Sequence, residues 1–364
     1  MKPLTQIIFT DIIIFTILVK GEKLVKPISS MECVAQKFLK LPNIQKYEVS
    51  ALTEYGFDAV IEMDDGFEFK IHVYTMQKSY PSIVMQLIEK REGDKRDYVL
   101  VSPYISERTA QICEKNGVGY FDYAGNCWFV GHSIYLSERG NKNLSPEISK
   151  ASFSVFERSA VVSSMILREL FADINRLWRL KYLSETVGCS IGQVSKVMDF
   201  LIKNAWAEKS VEGYWISEPE MLLKEWSKTY GKKKVPAYLY YSLDNPSVLE
   251  GKLVNLKRDM GIDYYLTGFS GGVRYTPVVR YNKVHVYIAL EDILEAAAYL
   301  GLKEVDSGAN VIIYLLENDS YKKDSRIIGN DMVVSPVQVY LDSMQIKGRG
   351  EELAEAVLLK EILK

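Results

Sequence analysis

Residues 180–216 read LKYLSETVGCSIGQVSKVMDFLIKNAWAEKSVEGYWI, and this stretch decides how the whole chain is interpreted. Its leucines give a first short helix an apolar face, and Gly188 permits a tight turn after that helix. Ser190 is a favourable N-cap residue and is expected to begin a second helix that runs to about Lys203. Residues 205–216 surround a glycine with strand-forming residues, which predicts two short strands.

A helix, a glycine turn, a second helix and a short hairpin are typical of a winged helix-turn-helix, which binds duplex DNA with its second helix in the major groove. The expected buried stripe of that helix is Ile191, Val194, Met198 and Leu201. The residues expected to contact DNA are Ser190, Gly192, Gln193, Lys196, Lys203, Lys209 and Tyr214. Glutamine and lysine read base edges or hold phosphates, glycine permits close approach to the groove, and the last two residues lie on the wing.

Two observations leave an alternative open at this stage. The spacing Ser190-x-x-Gln193 is also that of a capping box, in which the glutamine caps its own helix. Asp199 lies on the outward side and would repel phosphate. Because winged helices also dock proteins, the same segment is compatible with a scaffold role.

Composition places the chain among soluble globular proteins. It has 364 residues, 48% of them apolar and 25% charged, with a formal net charge of −2. Residues 150–234 hold 14 Lys and Arg against 10 Asp and Glu, so this segment carries +4 and the remainder −6. A phosphate backbone would therefore be attracted to the centre of the chain. The four cysteines form no CxxC pair, which favours a reducing cytoplasm and predicts neither disulfides nor a zinc site.

The predicted fold class is α/β multidomain, in three parts behind an extension of uncertain order at residues 1–30. Residues 31–145 are expected to form an α/β domain, 150–232 the winged helix-turn-helix and 235–364 a second α/β domain. The winged helix is expected to open with a long helix from Ser154 to about Trp178, capped by Ser154-x-x-Glu157. The apolar run within residues 1–19 is interrupted by Asp11 and is shorter than the about 20 residues that span a bilayer, so no membrane anchor is expected.

The first α/β domain carries a second chemical pattern. Asp58 lies in one predicted strand, and Glu68 and Lys70 lie on one face of the next. Two acids and a lysine so placed could bind Mg²⁺ and activate water, as in the PD-(D/E)XK nucleases, whose fold this domain resembles. Phe57 stands where that motif has proline, so we expect an inactive relative. A Mg²⁺-dependent nuclease is kept as the alternative function.

The remaining motifs indicate no chemistry. Gly268-Phe269-Ser270-Gly271-Gly272 lacks the lysine of a phosphate-binding loop and is expected to be a structural turn. His72, His132 and His285 lie far apart, so no metal site is expected from them. No cofactor is expected either.

Four further segments carry a family resemblance. They are VSPYISERTAQICEKNGVGYFDYAGN (101–126), YLTGFSGG (265–272), VDSGANVIIYLL (305–316) and VVSPVQVYLDSMQIKGRGEELAE (333–355). Together with the central helices they resemble the AbiEi-type antitoxins of type IV toxin-antitoxin systems. The resemblance implies a DNA-binding autorepressor that neutralises a nucleotidyltransferase-like toxin encoded beside it. The better known members carry the winged helix at the N-terminus, whereas here it is central.

The sequence thus predicts a cytoplasmic, non-enzymatic regulator that binds double-stranded DNA and, through its C-terminal domain, a partner protein. A homodimer is expected, because paired half-sites multiply affinity and specificity. Besides the nuclease, the other alternative is a protein-only inhibitor of the toxin, which would not bind DNA.

Overall fold

A computed structural model describes residues 25–90, 96–142, 155–157, 159–232 and 235–364. The chain divides into two compact units, Met1–Ser152 and Phe153–Lys364. Most of the predicted extension at 1–30, the boundary between the first two predicted domains at 145–150, and Ser154 of the predicted capping box lie outside the described residues.

The described part of the first unit is a seven-stranded sheet whose strands follow each other in chain order. Its strands are β1 (Ile44–Thr53), β2 (Gly56–Met63), β3 (Glu68–Thr75), β4 (Asp97–Ser102), β5 (Gly119–Asp122), β6 (Cys127–Gly131) and β7 (Ile134–Glu138). Its helices are α1 (Val25–Phe38), α2 (Pro81–Lys90) and α3 (Glu107–Lys115). Strands β3, β4 and β5 run parallel to each other, and the other neighbouring pairs are antiparallel.

Both faces of this sheet are covered, because its central strands bury alternate residues on opposite sides. On one face, Phe38 of α1 packs with Phe69, Phe121 and Phe129. On the other, residues of α2 and α3 pack on Leu100 and its neighbours. The two predicted strands that hold Asp58 and Glu68 are β2 and β3, and the N-cap residue of α3 is Ser106.

The second unit begins with the segment that contains the predicted helix-turn-helix. Its elements are α4 (Val161–Ala172), α5 (Leu180–Val187), α6 (Ile191–Lys203), β8 (Ala207–Lys209), β9 (Tyr214–Ile216) and α7 (Pro219–Tyr230). The predicted long helix from Ser154 to Trp178 is wrong, because α4 spans only residues 161–172. Asp173 leaves the helical conformation, and Trp178 forms a β-bridge with Tyr214 instead.

The rest of the second unit is built on a mixed sheet of order β13-β10-β14-β12-β11-β16-β15. These strands are β10 (Ala237–Tyr241), β11 (Tyr264–Leu266), β12 (Val284–Ile288), β13 (Lys303–Glu304), β14 (Val311–Leu315), β15 (Arg326–Ile328) and β16 (Asp331–Val333). The helices are α8 (Pro246–Met260), α9 (Gly268–Tyr275), α10 (Ile293–Leu300), α11 (Pro336–Ser343) and α12 (Gly350–Val357).

The structural turn predicted at 268–272 is wrong, because these residues begin helix α9. The glycines serve close packing. A Cβ on Gly271 would lie 2.7 Å from the carbonyl oxygen of Leu266, and one on Gly272 would lie 2.4 Å from Cδ2 of Leu353. The helix can therefore approach β11 and α12 only without side chains at these positions.

One hydrophobic core runs through the second unit, from Val155 to Ile362. It encloses a polar cluster at whose centre Gln338 of α11 joins Arg168 of α4 to Asp342. Arg168 donates to Gln338 Oε1 at 2.5 Å, and Gln338 Nε2 donates to Asp342 Oδ1 at 2.8 Å. Tyr287 and Thr267 also donate to Asp342. Burial raises the pKa of Asp342 and lowers that of Arg168.

Candidate functional site

The turn between α5 and α6 depends on Gly188. Its φ of 74° and ψ of 38° are left-handed, and its backbone N–H donates to the carbonyl of Ser184. A side chain would strain this conformation, so glycine is the residue that ends α5 here. Leu183 and Val187 of α5 are buried and hold the pair of helices together.

Helix α6 begins with the capping box that the sequence allowed. The N–H of Gln193 donates to Ser190 Oγ at 3.2 Å, and the N–H of Ser190 donates to Gln193 Oε1 at 3.0 Å. The carboxamide oxygen of Gln193 therefore stabilises the start of the helix. Its Nε2 donates to no acceptor among the described residues, so the same side chain keeps a free donor.

The buried face of α6 differs from the predicted one at two positions, since Val197 joins the buried stripe and Ile191 does not belong to it. Val194, Val197, Met198 and Leu201 are buried, whereas Ile191 is 49% exposed. The prediction for Ile191 is wrong because this residue, although three positions before Val194, is the first of the helix and lies beyond the end of the core.

The opposite face of α6 is exposed to solvent. The residues on it that were predicted to contact DNA are Ser190, Gly192, Gln193, Lys196 and Lys203, and all five are exposed. Lys196 makes no ion pair with any described residue. A Cβ on Gly192 would meet only Ser190 Oγ, at 3.9 Å, so packing within the unit does not require glycine there. Asp199 is exposed on the same helix, as the sequence indicated.

The hairpin β8–β9 brings together the other two predicted residues. Lys209 pairs with Tyr214 across the hairpin, and its ammonium lies 5.3 Å from the centre of the tyrosine ring. Ala207 and Ile216 are buried against the core. Lys209 lies on the same face of the strand as Ala207 but is exposed at the end of β8.

Sequence reasoning missed one basic residue beside this hairpin. The guanidinium carbon of Arg176 lies 4.2 Å from the centre of the Tyr182 ring and 4.7 Å from that of Trp178. Arg176 is exposed. The sequence indicated this group by a basic residue next to aromatic residues. The pattern was overlooked because residues 154–178 were assigned to one helix, whereas the helix ends at Ala172.

The three residues of the nuclease-like pattern lie on one face of the β2–β3 pair but are spread along it. Asp58 is opposite His72, whereas Glu68 is opposite Glu62. Glu68 lies four residues along β3 from His72, the residue opposite Asp58, which corresponds to a separation of about 13 Å between the two acids. Asp58 accepts a hydrogen bond from His72 Nδ1 and pairs with Arg96 at 3.0 Å. Glu68 and Lys70 are exposed.

This geometry does not bring Asp58 and Glu68 to one ion, since both would have to reach Mg²⁺ at about 2.0–2.1 Å. More generally, the described residues contain no group of three or more His, Cys, Asp and Glu side chains that could hold a metal ion. In the same part of the chain, no helix is long and apolar enough to span a bilayer.

Comparison with known protein families gives a match for the C-terminal part of the chain. Residues 216–363 match a family model described as "Transcriptional regulator, AbiEi antitoxin, Type IV TA system". The matched region starts at the last residue of β9, so it contains the mixed sheet and excludes α5 and α6. No curated protein and no solved structure matches the chain significantly.

Proposed function

Residues 216–363 belong to the AbiEi-type antitoxin family of type IV toxin-antitoxin systems, and from this premise we propose that the chain is a DNA-binding regulator that represses its own operon. In the cytoplasm, a winged helix-turn-helix formed by residues 161–216 binds the operator. The C-terminal domain, residues 235–364, counteracts a toxin encoded beside it. The chain acts as a homodimer on half-sites one helical turn, about 34 Å, apart.

The exposed face of α6 is the observation that carries the DNA-binding part of this proposal. Lys196 is exposed and without an ion-pair partner among the described residues, and Gln193 has a free carboxamide donor. Lys181 on the neighbouring helix α5, by contrast, lies 3.9 Å from Glu185 one turn away. The unpaired charge of Lys196 instead suits the phosphates or bases of a groove.

The capping box allows a sharp test of Gln193. Gln193→Glu keeps an oxygen that can accept from the N–H of Ser190, so the helix start remains stable, but it removes the donor and adds a negative charge. Lys196→Ala removes the lysine contact. Each variant should raise the dissociation constant for a duplex from upstream of the chain's own gene by about 5- to 150-fold, if the contact is to a base.

The dissociation constants are measured by fluorescence anisotropy with full-length protein. Lys360→Ala is the matched control, because Lys360 is an exposed lysine elsewhere in the second unit. It should bind the duplex as the wild type does. Wild-type affinity in both the Gln193→Glu and the Lys196→Ala proteins would overturn the assignment of α6 as the recognition helix.

The proposal assigns no enzymatic activity to the chain. This lack of an assigned activity is supported by the pairing of Asp58 with His72 and Arg96 and by the separation of Asp58 from Glu68. Plasmid incubated with the purified chain and Mg²⁺ should therefore stay supercoiled. Metal-dependent nicking that disappears in Lys70→Ala would contradict this part and favour a nuclease.

The antitoxin part has its own test, because the family match excludes α5 and α6. If the C-terminal domain acts separately from DNA binding, the Lys196→Ala protein should still rescue cells that express the neighbouring toxin gene. Loss of rescue at normal protein levels would indicate that protection acts only through the operator.

A further inference from the structure

A group of basic and aromatic side chains lies beside the helix-turn-helix, with three members exposed, Tyr214 half-buried and Trp178 buried. We call it the arginine–aromatic patch and define it by Arg176, Trp178, Tyr182, Lys209 and Tyr214. Arg176 lies over the rings of Tyr182 and Trp178, and Lys209 lies over the ring of Tyr214. Tyr182 is 42% exposed, and Arg176 and Lys209 are exposed as well.

The backbone holds the two halves of the patch together. The N–H of Trp178 donates to the carbonyl of Tyr214 at 2.7 Å, and the N–H of Tyr214 donates to the carbonyl of Trp178 at 2.9 Å. A Cβ on Gly213 would lie 2.9 Å from the carbonyl oxygen of Trp178. The close approach of the two segments therefore depends on glycine, and it fixes Arg176 relative to the hairpin.

The charge of Arg176 is not used within the described part of the molecule. Two other exposed arginines of the second unit do pair with acids, Arg258 with Asp259 and Arg349 with Glu352. Arg176 makes no such pair with any described residue, while stacking restricts its side chain. A planar guanidinium already held in place can donate two parallel hydrogen bonds at a smaller loss of side-chain entropy.

The location of the patch points to a sugar–phosphate backbone. In a helix-turn-helix complex the second helix enters the major groove, while the first helix crosses the backbone beside it. Tyr182 lies on the exposed side of α5, which is that first helix, and Lys209 lies on the hairpin beyond it. Glu208 precedes Lys209 in the strand and so points to the opposite face.

We infer that the arginine–aromatic patch binds the phosphates of duplex DNA next to the groove that α6 enters, with Arg176 as its principal contact. This inference rests on the proposed function of the helix-turn-helix. Contacts of this kind carry no sequence information and instead set the position of the protein on the duplex. The patch thus supplies affinity for any duplex, and α6 supplies preference for the operator.

The test compares Arg176→Ala, Arg176→Lys and Lys196→Ala in the full-length chain, on the upstream duplex and on a scrambled duplex of equal length, at several salt concentrations. Arg176→Ala should weaken binding to both duplexes by the same factor, about tenfold, and reduce the slope of log K against log salt by about 1. The affinity of Arg176→Lys for each duplex should lie between those of Arg176→Ala and the wild type, because lysine keeps the charge without the planar stacked group.

The outcomes separate this inference from the proposed function. If the wild type binds neither duplex, both are overturned. If Lys196→Ala weakens operator binding while Arg176→Ala binds as the wild type does, only the role of the patch is wrong. If Arg176→Ala loses affinity with an unchanged salt slope and a lower melting temperature, Arg176 has a structural role and the inference is also overturned. Arg258→Ala controls for the loss of one exposed arginine.

Discussion

His285 lies on β12 and shows how burial changes the titration of a single side chain. It is 2% exposed, its Nδ1 lies 3.1 Å from the hydroxyl of Tyr314, and its Nε2 has no hydrogen-bond partner among the described residues. Burial, with a smaller contribution from the charge of Lys283, lowers its pKa to about 4. In the unfolded chain the pKa would be about 6.5. The folded protein therefore keeps His285 neutral where the unfolded chain protonates it.

Because unfolding takes up a proton at His285 between these two pKa values, this residue should stabilise the fold above pH 6.5 and lose its contribution as the pH falls towards 4. From pH 7 to pH 5 the loss amounts to about 2 kcal/mol of unfolding free energy. Urea unfolding at both pH values measures it. In His285→Gln the pH dependence should shrink by this amount, and an unchanged dependence would show that His285 is not the group that titrates.

Glycines in two helices of the second unit should respond in opposite ways to the same substitution. Gly272→Ala would place a Cβ 2.4 Å from Leu353 in the core, so we expect a loss of about 1 to 3 kcal/mol in unfolding free energy. Gly251→Ala in α8 meets no atom within 4 Å and should gain about 0.5 to 1 kcal/mol from helix propensity. Thermal unfolding of both variants tests this, and equal effects would contradict the packing role of Gly272.

At the scale of elements, the stability of helix α6 can be lowered without changing any of its buried residues. Ser190→Ala removes the side chain that accepts from the N–H of Gln193 and should cost about 1 kcal/mol of unfolding free energy. Ser195→Ala, in the middle of the same helix, should be neutral or stabilising, since alanine is the best helix former. Chemical unfolding compares the two. A larger loss for Ser195→Ala would be inconsistent with the capping box.

The sequence predicted α5, the turn at Gly188, α6 and the hairpin because local chemistry determines them. An N-cap serine, a left-handed glycine and the periodicity of apolar residues act within a few positions of each other. The predicted contacts Gln193, Lys196 and Lys209 consequently lie on exposed faces. Whether they touch DNA stays a prediction.

Elements that depend on distant partners were missed. Helix α9 contains three glycines, which sequence patterns assign to a turn, and it is stabilised by packing on Leu266 and Leu353. Likewise, Trp178 continues an apolar pattern from α4, but its partner Tyr214 lies 36 positions further along the chain. Arg176 was overlooked for the same reason.

At the scale of the whole second unit, the buried polar cluster joins the helix-turn-helix region to the antitoxin-like sheet. Arg168 is fully buried, and Gln338 is the side chain that connects it to Asp342. Nη1 of Arg168 already has no hydrogen-bond partner in the described part of the chain. A buried charge that loses a further acceptor is strongly destabilising. Sequence reasoning could not have found this cluster, because its members come from separate elements.

Gln338→Leu should therefore lower the unfolding free energy of the second unit by about 3 to 5 kcal/mol, because it leaves Arg168 and Asp342 buried with fewer partners. Gln345→Leu is the matched control. Gln345 is exposed and donates to the carbonyl of Ser227 at 3.1 Å, so its loss should cost about 1 kcal/mol. Similar unfolding free energies for the two variants would show that the cluster does not hold the unit together.

The most direct test of the account is photo-crosslinking from the start of α6. Ile191 is exposed at that position and is not one of the proposed contacts, so a photo-reactive residue there leaves Gln193 and Lys196 in place. Full-length protein labelled at residue 191 should crosslink to bases of the duplex upstream of its own gene, whereas protein labelled at residue 360 should not. Crosslinks from residue 360 alone, or a bound duplex that residue 191 never reaches, would contradict the claim that α6 enters the groove.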